Sequence, residues 1–90
     1  MAEPENPEPD LDAQALFEQI REFDVQQFLV ASISTLASLA FAKLDSGDLG
    51  QARTAIDAVA ALLPLVEGEP ARDLQGALTN LQVAYAGRSV

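Results

Sequence analysis

Residues 25–42 read VQQFLVASISTLASLAFA, a run without a single charge, closed by Asp24 on one side and Lys43 on the other. The run predicts one long helix, and its two ends are marked. Asp24 can accept a hydrogen bond from the Gln27 amide while Gln27 reaches back to the Asp24 amide, a capping box. Phe23 and Phe28 stand at the spacing of a hydrophobic staple across that cap. At the far end, Asp45-Ser46-Gly47-Asp48 supplies a glycine for a left-handed exit and a fresh aspartate to start another helix.

Around this helix, Val25, Phe28, Leu29, Ile33, Leu36, Leu39 and Leu44 form one broad apolar face, widened by Val30 and Phe41. A surface helix has an apolar stripe of roughly 100° or a little more. A face this wide predicts burial on most sides. The strip left over is Gln27, Ala31, Ser34, Ser38 and Ala42, small or weakly polar residues about one turn apart. Small ridges admit a second helix closely, and a partly solvated helix face has the same composition; both readings stand. If the strip is a packing seam, Phe28 and Phe41 border it, and a charge at Ser34 should break the contact.

Two amphipathic helices follow. Asp48 and Gln51 repeat the capping pattern, and Leu49, Ala52, Ile56, Val59, Leu63 and Val66 recur every three or four residues. Pro64 should kink or end that helix near Leu63, because it lacks an amide donor and crowds the preceding turn. Glu67-Gly68-Glu69 then reads as a turn, with Pro70 suited to a first helical position. The last helix carries Leu74, Leu78, Leu81 and Tyr85, with Arg88 near its negative end. No stretch alternates with a period of two long enough to make a strand. The expected fold is all-α, a small bundle of three main helices in which a helical hairpin covers the long apolar one.

Upstream of that domain, expected to span residues 23–88, the chain is acidic. Residues 1–24 hold eight of the fourteen acidic side chains against Arg21 alone, and the remainder is nearly balanced within a net charge of −9. Residues 1–10, MAEPENPEPD, have too little apolar surface to offset ordering entropy and are expected to be a disordered tail, more a solubilising leader than a contact for a basic partner. They have neither the basic nor the apolar region of a signal peptide. Residues 11–22 resume a helical period through Leu11, Ala15, Leu16 and Ile20, a short leading helix docked loosely or folding on a partner.

Composition narrows the chemistry. With no cysteine and no histidine, disulfides, thiolate nucleophiles, the usual zinc sites and imidazole acid–base catalysis are all excluded. A Ser–Lys pair would have to use Lys43, the only lysine. The glycines never form a phosphate-cradling run, no calcium-loop spacing occurs, and nothing resembles the clustered Lys and Arg of a nucleic-acid binder. No catalytic residue, cofactor, metal or small-molecule substrate is expected. A membrane span over 25–42 is at the short limit of about 20 residues, and Gln26, Gln27, Ser32, Ser34, Thr35 and Ser38 lie inside it. The flanks also lack the Lys/Arg asymmetry that orients a span. A core helix fits better, and a small core without disulfide or metal points to a homodimer.

From Phe23 to Tyr85 the chain resembles the bacterial DUF1844 family of small proteins of unknown function. The matching features are the apolar helix opening at Phe28, the segment Leu49-Gly50-Gln51-Ala52-Arg53-Thr54-Ala55-Ile56-Asp57, and the ending Leu81-Gln82-Val83-Ala84-Tyr85. The family's basic loop after the second helix is replaced by Pro64–Pro70, of which only the glycine is kept, and Gln82 stands where the family has arginine. The resemblance singles out Asp57 and Tyr85 as polar positions and implies no activity, only a genomic context beside translation-initiation genes. On residue chemistry, Asp57 pairs with Arg53 one turn earlier, and Tyr85 suits a core edge with a wet hydroxyl. The expected function is a non-enzymatic, cytoplasmic helical module that self-associates and docks on another protein. The alternative is a small membrane-associated protein anchored by residues 25–42, and behind it stands an accessory factor linked to translation, which the family resemblance implies.

Overall fold

The computed structural model describes residues 8–89, and the side chains of residues 13–89. The chain there is all-α, with no strand among the described residues: α1 (Glu8–Arg21), α2 (Val25–Ser46), α3 (Leu49–Leu62) and α4 (Pro70–Arg88), with a short 3₁₀ turn at Leu63–Leu65. The expected tail at residues 1–7 lies outside the described residues. Glu8, Pro9 and Asp10, expected in that tail, belong to α1 instead. Pro9 is tolerated there because a first-turn amide has no intrahelical partner to lose.

Helices α2, α3 and α4 pack on one another around a single core. The largest fully enclosed side chains come one from each: Ile33, Val59 and Leu81. The α3 stripe read from the sequence is the buried one, with Ala52, Ile56, Val59, Leu63 and Val66 in the core and Leu49 packed at its edge. Leu74, Leu78 and Leu81 of α4 join them, and Tyr85 is half-buried beside them. Pro64 acts as its chemistry requires, ending α3 at Leu62 and turning the chain through the 3₁₀ segment. Pro70 occupies the start of α4.

The α2–α3 corner is closed by local hydrogen bonds. Gly47 has φ +85°, its amide donates to Leu44 O at 3.1 Å, and the Asp48 amide reaches Lys43 O at 2.9 Å. This is the Schellman arrangement that a left-handed glycine permits. Asp48 then caps α3 by accepting from the Gln51 amide at 3.1 Å. The Arg88 guanidinium donates to Leu44 O as well, tying the end of α4 to the end of α2. A cation there also opposes the negative pole of α2.

Two expectations about α2 need correction. The capping box does not form: Asp24 is the N-cap with extended backbone, but its side chain makes no cap bond. That first turn is exposed, so water can serve its free amides. The second concerns burial. Only Ile33, Ala37, Ala40 and Leu44 are buried, with Leu29, Val30 and Leu36 partly covered. These residues, three or four apart, form one face. Val25, Phe28, Leu39 and Phe41 are exposed, Val25 by 75%. Two amphipathic helices each offer one apolar stripe, so they cover one side of α2 and leave the rest open.

Helix α1 stands apart from this core. All its described side chains are exposed, including Leu16, Phe17 and Ile20. The radius of gyration is 18.2 Å, against about 12 Å for a compact chain of this length. An offset helix accounts for that excess.

Candidate functional site

The open side of α2 and the elbow leading into it make the candidate site, an exposed apolar surface. The elbow is built by Glu22, Phe23 and Asp24. Glu22 and Phe23 close the end of α1 through amide bonds to Gln19 O and Ile20 O at 3.1 and 3.0 Å. Phe23 then stacks on Phe28, ring centroids 6.2 Å apart at 26°, the predicted staple. Ile20, Phe23, Val25 and Phe28 line an open apolar groove on this elbow. On α1, the Arg21 guanidinium lies 5.9 Å from the Phe17 ring and 4.0 Å from Glu18. Such exposed contacts contribute little.

Gln27, Ala31, Ser34, Ser38 and Ala42 are all exposed, as are the bordering Phe28 and Phe41. The hairpin therefore does not use the small-residue strip. Instead it packs on a face with two buried alanines, Ala37 and Ala40, and α3 brings two buried alanines of its own to the same core, Ala52 and Ala55. Small side chains on both partners let the two backbones approach. Ala37 and Ala40 were legible in principle, since Ala37 falls four residues after Ile33 and Ala40 four before Leu44, but large residues dominated the pattern.

Asp57 and Tyr85, from α3 and α4, line one shallow groove together with Arg53, Ile56 and Gln82. Arg53 Nε is 3.7 Å from Asp57 Oδ2 and both side chains are about two-thirds exposed. That geometry is a solvated ion pair. Asp57 and Tyr85 are the acid–base groups of the groove lining, beside the Arg53 guanidinium. Among the described residues, no group of three His, Cys, Asp or Glu side chains comes together in a way that could hold a metal.

One polar residue gains a role the sequence did not suggest. Gln26, at the second position of α2, donates from Nε2 to Leu65 O at 3.0 Å and accepts at Oε1 from the Glu67 amide at 3.0 Å. It binds the loop before α4 to the start of α2 across some forty residues of sequence. Only the fold brings that loop within reach.

By length and composition α2 is also able to cross a membrane, with mean hydropathy 1.5 and 17% burial over its most apolar window. Core helices of soluble proteins and signal sequences pass the same test. Compared with protein-family models, with curated proteins and with solved structures, the chain returns no match.

Proposed function

We propose that the chain is a non-enzymatic, cytoplasmic helical interaction module that self-associates through the open side of α2 and can present α1 to a further protein. The observation that carries this reading is the exposure of large apolar side chains along α1, the elbow and α2: Leu16, Phe17 and Ile20 on α1, Phe23 at the elbow, and Val25, Phe28, Leu39 and Phe41 on α2. Large apolar side chains exposed in such number on a small protein mark a contact site. A bundle of this size also gains stability by covering it with another chain. The resemblance to the DUF1844 family is in keeping with a role without catalysis, and it extends to the paired helices α3 and α4.

A membrane-associated role is the second reading, favoured by the low burial of α2. Against it, α3 and α4 lie along α2 and turn Arg53, Asp57, Arg72 and Asp73 outward. Those charges would have to enter the bilayer beside the span, at a cost of a few kcal/mol each.

The absolute mass by light scattering, in detergent-free buffer across a dilution series, separates the two. A dimer that dissociates on dilution supports self-association. A monomer at every concentration refutes it, and material soluble only in detergent favours the membrane reading.

A further inference from the structure

The open side of α2 carries a regular pattern that the fold leaves unused. Val25, Phe28, Ser32, Thr35, Leu39 and Ala42 follow spacings of three, four, three, four and three, the rhythm of a coiled-coil seam. None of the six lies in the core; all are exposed except Ser32, which is half-buried. The seam has large apolar residues at its N-terminal end, hydroxyls in the middle, and Leu39 and Ala42 at its C-terminal end.

We infer that this seam pairs antiparallel with the same seam of a second copy, about a two-fold axis at the level of Ile33 and Ser34. The inference rests on the self-association reading and gives it a register. Val25 then faces the second copy's Ala42, Phe28 faces Leu39, and Ser32 faces Thr35. Each contact is made twice, as a two-fold interface requires, and the outer layers set a larger side chain against a smaller one.

Charge selects the direction. A parallel pair would place two acidic elbows, each with Glu18, Glu22 and Asp24 against Arg21, side by side. The antiparallel pair separates them by the length of α2, about 30 Å. It brings each elbow instead to the end of α2 where Lys43 and Asp45 balance, and it sets the helix dipoles head to tail. The hydroxyl layer can be buried cheaply, because Thr35 Oγ1 already donates to Ala31 O at 3.0 Å.

The area is sufficient. Ile20, Phe23, Val25, Phe28 and Leu39 are each about half exposed or more, leaving on the order of 500 Å² of side-chain surface at the usual sizes of such residues. Ser32, Thr35, Ala42 and the flanking Leu36 bring the total toward the roughly 800 Å² per partner of a standard interface. The elbow groove lined by Ile20, Phe23, Val25 and Phe28 is continuous with the seam. It receives Leu39 of the second copy.

The cysteine-free chain allows a direct test. Full-length V25C and A42C proteins are mixed, oxidised mildly, and resolved on non-reducing gels beside each variant alone. The expected result is a disulfide dimer from the mixture and almost none from either variant alone, since like positions lie about 25 Å apart in this register, beyond disulfide reach. In parallel, T35E is expected to fall to the 9.5 kDa monomer mass while S34E stays dimeric, both with unchanged helical circular dichroism. A V25C-only disulfide dimer would overturn the antiparallel register. A wild-type dimer with no cross-link in the mixture, lost in S34E but not in T35E, would overturn the seam and move the contact to the small-residue strip. A wild-type monomer would overturn self-association itself.

Discussion

Replacing Ile33 by alanine is expected to remove most of the stability of the bundle. Ile33 is fully enclosed where α2 meets α3 and α4. The substitution deletes three carbons, a transfer loss of about 2.4 kcal/mol at about 0.8 kcal/mol per methylene. The cavity left among Val59, Leu81 and their neighbours adds about 1 kcal/mol or more, because rigid helices collapse only partly. The sum, about 3–4 kcal/mol, is close to the whole of what a core this small supplies, roughly 3–5 kcal/mol. The contrasting variant is Phe28→Ala, which removes a larger side chain that is 59% exposed. It gives up the stack with Phe23 and little else within one chain, about 1 kcal/mol. The assay is urea unfolding followed by far-ultraviolet circular dichroism at several protein concentrations. The Ile33→Ala loss should be the same at each concentration, while the Phe28→Ala loss should grow with concentration as dimer forms in the parent. A loss below about 1.5 kcal/mol for Ile33→Ala, or a larger loss for Phe28→Ala at the lowest concentration, would refute the assignment of inner and outer faces on α2.

Two further substitutions probe the devices that fix the helices. Gly47→Ala should cost about 1–2 kcal/mol in the same unfolding experiment. The cost is backbone strain at φ +85°, since no atom stands within 4 Å of the added carbon, and Gly47→Asn should recover part of it. Gln26→Leu should cost about 1–2 kcal/mol by breaking the two bonds to the Leu65 carbonyl and the Glu67 amide. Gln27→Leu, one exposed position on, should be close to neutral; equal effects at 26 and 27 would count against the clamp.

Most of the local chemistry that depends on residues a few positions apart was read correctly. The Gly47 exit, the Asp48 cap, the break at Pro64 and the Phe23–Phe28 stack are each settled by one backbone preference or one short contact. The stripes of α3 and α4 were legible for the same kind of reason, since each helix has a single apolar face and that face must be the inner one. The Asp24 capping box failed because an exposed first turn has water as a competing partner for its amides.

Sequence by itself therefore determined the all-α class, the ends of the three main helices, the lack of histidine and cysteine, and the acidic balance of the first two dozen residues. Tertiary structure decided which part of α2 is inside. An apolar residue on a helix with apolar residues nearly all round carries no information about which side meets a neighbour. Packing chose the face with Ala37 and Ala40 and left Val25, Phe28 and Leu39 open. The clamp from Gln26 to the loop before α4 was equally out of sight, because a hydrogen bond across some forty residues exists only once the helices have docked.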